Sequence, residues 1–221
     1  MTGFRQVVAL ILRRDRVWLP AWIVGNVTLT AVTAAAVQST LATPEALASY
    51  ENTVYGSAAT LLMAGRGVAL DTVGGVTVNE TSFAAILLVA LMTLFGVVRH
   101  TRADEEAGRT ELVRAGAIGR DAPIAAALAV LAAASTLTAV LTSIVLVSLG
   151  LDPSGSIAFG TAVACVGISF ATCGLIAAQV ASSARSALGA GTAALGLAFL
   201  VRGIGAVNDS WLVWVSPIGW A

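Results

Sequence analysis

Between Arg99 and Asp121 the chain reads RHTRADEEAGRTELVRAGAIGRD, a segment holding ten of its twenty-four acidic and basic side chains. Thr101 followed by Asp104 is a helix start of the capping type. Arg102 and Glu106, and likewise Glu105 and Arg109, stand four residues apart, so on a helix each pair shares a face and supports it. Gly108 interrupts that helix, and Gly116 offers an end for a second short helix from about Thr110. A rigid helix pair of mixed charge suits docking against a soluble partner. The plain alternative is a solvated loop.

Covalent chemistry has few candidates. The chain has one histidine, His100, and two cysteines, Cys165 and Cys173. Both cysteines sit in an apolar run, where a reduced thiol behaves as a small hydrophobe. His100 follows an apolar span and sits among charges, so it reads as interfacial or solvated, and with Asp104 it does not make up a metal-ligand set. H-E-x-x-H, paired C-x-x-C and G-x-S-x-G patterns are absent, so no catalytic, metal-binding or cofactor-binding residue is expected. All twelve basic residues are arginine. A P-loop of the form G-x-x-x-x-G-K-[ST] requires a lysine, so this sequence cannot cradle ATP phosphates in that way.

The elements that must hold the charged segment are apolar. Of 221 residues, 57% are hydrophobic and 11% charged, with zero net charge and a mean hydropathy of +0.90. That excludes a basic nucleic-acid binder and a disordered chain, and it fits an integral membrane protein. A bilayer core of about 30 Å needs roughly 20 apolar residues in a helix. Five stretches qualify, at about 17–38, 81–98, 122–150, 156–183 and 186–207. The expected fold is all-α: one polytopic transmembrane helical bundle over residues 1–221, with an outer loop at 38–79 and the charged loop at 99–121.

Phe4, Val7, Val8 and Ile11 follow helical spacing beside Arg5, Arg13, Arg14 and Arg16. This is the pattern of a helix lying in the membrane interface; an ordinary basic flank is the alternative. Thr53 to Ala64 is too short to span and is expected to pack at the outer surface. The arginines set the orientation. With the N-terminus cytoplasmic, ten arginines lie inside and only Arg66 and Arg202 outside, while the acids split six and six. The inner side is then +4 and the outer side −4. A multi-pass protein of the cytoplasmic membrane is expected.

Within the spans, Gly160, Gly167 and Gly174 stand on one face of the fourth helix, and Gly189 and Gly196 on one face of the fifth. Small residues let membrane helices approach closely, so these two helices are expected to pack through those faces. Asn26, Thr30 and Thr33 align on the first span, and Ser135, Thr138 and Thr142 on the third. They are candidates for a translocation path, with interhelical hydrogen bonding as the favoured alternative. Arg202 is the one ionisable group inside a span, near its end. It is expected to snorkel outward or to pair with Asp209.

The segment Val98 to Arg109, with Trp214 to Trp220, resembles permeases of type-2 ATP-binding-cassette exporters. The nearest subgroup is the actinobacterial polyketide-antibiotic (tetronasin-like) exporters. The resemblance implies that the charged loop contains a cytoplasmic coupling helix seated on an ATPase subunit. Glu105, Glu106, Gly108, Arg109, Thr110 and Glu111 are then the partner-contact positions. It implies further a second permease half, a setting among membrane lipids, and a hydrophobic small-molecule substrate such as an antibiotic or drug. Members of that subgroup have two six-span halves, so this chain looks like an N-terminal half. A non-transporting membrane scaffold and a lipid-exporter half are the alternatives.

Overall fold

The computed structural model describes residues 3–41, 43–109 and 118–220. Helix α1 covers Phe4–Arg14 and α2 covers Trp18–Thr40. Two short helices follow, α3 (Pro44–Tyr55) and α4 (Ala58–Ala64). The long α5 covers Val73–His100 and leads into the short α6, Arg102–Glu106. Helices α7 (Ala122–Ser148), α8 (Pro153–Val180) and α9 (Ala184–Val207) then run back and forth. The chain ends on α10 (Leu212–Val215) and a 3-10 turn at Pro217–Trp220. The described residues form an all-α bundle, in which α2, α5, α7, α8 and α9 are long and apolar enough to cross a membrane.

Side-chain caps define where three of these spans begin. Thr72 accepts from the Gly75 N–H, Asp152 from the Gly155 N–H, and Ser183 and Ser186 cap each other reciprocally. Each satisfies a backbone donor that the first helical turn leaves open. Helix α5 starts well before residue 81, where the uncharged stretch begins. The helix begins at the Thr72 cap and runs through the exposed Glu80, whose carboxylate accepts from the Tyr50 hydroxyl at 2.5 Å.

Helix α5 is the axis of the bundle. Ala85, Ile86, Val89, Ala90, Leu94 and Val97 are sealed on several of its sides, and α2, α7, α8 and α9 pack around it. A helix apolar on all sides belongs in such a position. The other spans leave large apolar side chains open, among them Val24, Leu137, Ile176 and Leu197, as a lipid-facing surface requires. At one end α1 packs on α7, burying Val7 and Ile11.

The small-residue stripe of α8 faces α7 and α5, not α9. A Cβ on Gly160 would run into Ser143 and the Ala139 carbonyl, and one on Gly167 into Ser135 and Val89. Gly174 lies against Leu94, where a Cβ would sit 3.3 Å from the Leu94 Cα. On α9 the packed face carries Ala187, Gly191 and Leu195. Gly189 and Gly196 are exposed, and a Cβ on either would meet nothing within 4 Å. Leu94 serves both neighbours, since a Cβ on Gly191 would lie 2.5 Å from its Cδ1.

Thr53 to Ala64 is divided between α3 and α4, and α4 rests on α9 and α5. This contact decides the fate of Arg202. The side chain does not snorkel, and it does not pair with Asp209. It is buried and donates to the carbonyls of Met63 and Ala64 at the C-terminal end of α4, the end that attracts a cation. Asp209 instead faces Arg66 at 3.5 Å.

Candidate docking site at the arginine-rich end

The turn after α5 brings α6 across the end of the bundle. Asp104 is the centre of its inner side. Arg14 Nη1 donates to both Asp104 oxygens at 2.7 and 2.8 Å, and Arg109 donates through Nε at 2.9 Å, with Nη2 at 2.8 Å. A carboxylate shared by two guanidinium groups ties α6 to the end of α1.

The other side of α6 reaches the α8–α9 junction. Arg102 donates to the Ser182 carbonyl at 2.5 Å and to Glu105 at 2.8 Å. The Glu106 carboxylate accepts from the Ala184 N–H at 2.8 Å. Ala184 is the first residue of α9, so this carboxylate also answers the positive end of that helix. The spacing of four expected for Arg102–Glu106 and Glu105–Arg109 is not what forms. Helix α6 has five residues, barely more than one turn. Its charges pair at three residues' distance or outside the helix.

Glu105, Ala107 and Arg109 lie exposed on the outward side. Gly108 has φ +69°, a left-handed conformation that glycine adopts without strain, just past the end of α6. Of the six positions expected to contact a partner, Glu105 and Arg109 are exposed here beside Gly108, while Glu106 is turned toward the start of α9. Thr110 and Glu111, with the second short helix expected from about Thr110, lie outside the described residues.

Beneath α6 is a cluster that spacing did not reveal. Asp15, in the turn between α1 and α2, is fully buried. One carboxylate oxygen meets His100 Nε2 at 2.5 Å and the other lies 3.2 Å from Arg99. His100 is buried, contrary to the expectation of an interfacial or solvated side chain. It ends a span at a point where the α1–α2 turn covers it. No local pattern joins Asp15 to His100. The available signal was a lone acid within Arg13-Arg14-Asp15-Arg16, a setting in which a carboxylate is well placed to be paired.

The hydroxyl and amide side chains in the spans lie inside the bundle. Asn26 donates across to the Ala85 carbonyl of α5 at 2.8 Å. Thr30, Ser135 and Thr138 are buried and donate to carbonyls four residues back in their own helices. Thr142 is buried and Thr33 half-buried. Asn26 Oδ1 and Thr142 Oγ1 are enclosed without a hydrogen-bond partner.

No protein-family model matches the chain. Over all 221 residues it is 36% identical to the multidrug efflux system permease protein of Mycobacterium tuberculosis, and it spans 40% of that protein's length. The five apolar helices support a multi-pass membrane protein, and the similarity is to an efflux permease of which the chain spans less than half.

Proposed function

We propose that this chain is the permease subunit of an ATP-driven exporter, and that α6 is where a separate ATP-binding-cassette ATPase subunit docks. In this reading the N-terminus and α6 face the cytoplasm, and a second permease half completes the path. The cargo is a hydrophobic antibiotic or drug, matched to spans that offer apolar and hydroxyl surface. The sequence has no lysine for a P-loop, so the ATP chemistry belongs to the partner.

The observation that carries the reading is the two-sided attachment of α6. Its outward side is exposed at Glu105 and Ala107. Its inward side holds α1 through Asp104–Arg14 and the start of α9 through Glu106–Ala184. A displacement of α6 by a docked partner therefore pulls on two separate elements, α1 and the start of α9. Such a chain of ion pairs and rigid helices is the physical form that coupling takes.

Charge reversal at the outward side tests the proposal. Glu105→Arg in the complex reconstituted in proteoliposomes should leave the basal ATPase activity of the partner in place and abolish ATP-dependent export. Export at the wild-type rate would count against α6 as the docking site.

A further inference from the structure

We propose that the groove bounded by α1, α2 and α7 binds an anionic phospholipid, with an acyl chain along the groove and the headgroup phosphate at Arg16. This stands independently of the exporter reading. The cavity is about 430 Å³, within the usual range for a small-ligand site. Phe4, Val8 and Leu12 of α1 form one wall, the buried Ile23 of α2 the floor, and Ala133 and Leu137 of α7 the other wall. Leu12, Ala133 and Leu137 are exposed, so the groove is open along its length.

Two polar residues border it, Asp15 and Arg16. The Asp15 carboxylate is already held by His100 and Arg99. Arg16 is different. Among the described residues, Arg5, Arg13 and Arg16 have no carboxylate within 4 Å, although Arg14 and Arg99 beside them are paired. Arg16 thus borders the apolar groove with no carboxylate partner among the described residues, and Arg5 and Arg13 are exposed on α1, the helix that forms one of its walls.

The division of labour follows from the solvent. An acyl chain gains little by leaving lipid for an equally apolar wall, so the groove supplies shape while the guanidinium groups choose the headgroup. Helix α1 also leaves Leu10 and Leu12 exposed beside its arginines. That is the character of a helix lying at the depth of lipid phosphates.

Native mass spectrometry of the full chain tests this, with phosphatidylglycerol as the probe and phosphatidylcholine as the control. The wild type should retain phosphatidylglycerol in preference. Arg13→Gln with Arg16→Gln should lower that retention roughly fivefold per arginine removed, without changing retention of phosphatidylcholine. Both arginines are exposed, so these variants keep the fold. Ala133→Trp, which fills the groove, should lower retention of both lipids. Arg185→Gln, an exposed arginine at the same end but on α9, should change nothing. Equal retention of the two lipids by the wild type would overturn the proposal. So would an Arg13/Arg16 variant that behaves as the wild type, or an equal loss in Arg185→Gln, which would mean diffuse surface charge. A dimer that Ala133→Trp converts to monomer would assign the groove to a second copy of this chain and overturn it as well.

Discussion

The carboxylate of Asp15 lies 2.5 Å from Nε2 of His100, with both side chains sealed from solvent though the two residues are 85 positions apart. Arg99, next to His100, reaches the other carboxylate oxygen at 3.2 Å and stands over Trp18 at 5.6 Å from the ring centroid. The α1–α2 turn is thereby fastened to the end of the helix that carries α6.

Asp15→Ala leaves the buried His100 without its partner and the partly exposed Arg99 without its ion pair. Breaking a buried pair from one side costs about 3–5 kcal/mol, so this variant should unfold at a clearly lower denaturant concentration. Asp15→Asn keeps an acceptor for His100 and should lose less. If the pair acts as a unit, Asp15→Ala combined with His100→Ala should cost less than the two single changes added together. Denaturant unfolding of the purified chain measures all three.

Glu106 holds the first N–H of α9 from a different segment of the chain. Glu106→Ala should speed hydrogen exchange at the Ala184 and Arg185 amides while leaving the middle of α9 protected. Glu106→Gln retains an acceptor oxygen and should fall between. Exchange followed by mass spectrometry distinguishes this from general loosening, which would accelerate all of α9.

Gly167 and Gly196 make opposite predictions from the same residue type. Gly167→Leu drives a side chain into Ser135 and Val89. Overpacking of this kind costs about 1–3 kcal/mol or more, and the melting temperature should fall. Gly196→Leu points into open space and should change stability by no more than about 0.5 kcal/mol.

Tyr50 gives a pH dependence with a defined sign. Burial, and then its hydrogen bond to the Glu80 carboxylate, raise the phenol well above its ordinary pKa of 10. The folded protein therefore holds this proton more tightly than the unfolded chain. The stabilisation is fully present below about pH 10 and is lost as the pH climbs through the raised value. Melting temperatures should decline above about pH 10, and Tyr50→Phe should flatten that decline.

The five spans were legible because each is an apolar run long enough to cross a bilayer, and that signal is local. The early start of α5 was hidden by Glu80, whose charge is answered by Tyr50 from another helix. The Gly160–Gly167–Gly174 face was readable from periodicity, but periodicity names a face and not its neighbour. Here the neighbours are α7 and α5. Arg202 failed for the same reason: its acceptors are carbonyls of α4, which no spacing rule connects to residue 202. At the candidate site the density of charge around α6 was plain in the sequence. Its partners Arg14, Ser182 and Ala184 were not, because they come from separate elements that only the fold brings together.

Docking of an ATPase subunit at α6 is tested most directly by cross-linking from Ala107, which is exposed and takes no part in the ion pairs around it. In a chain carrying Cys165→Ser and Cys173→Ser, Ala107→Cys supplies a single thiol on the outward side of α6. Treated in native membranes with a short thiol-to-amine cross-linker, this variant should join the chain to a P-loop ATPase, and the joined complex should lose ATP-dependent export. A variant that yields no ATPase adduct, or an adduct that exports at the uncross-linked rate, would contradict the account.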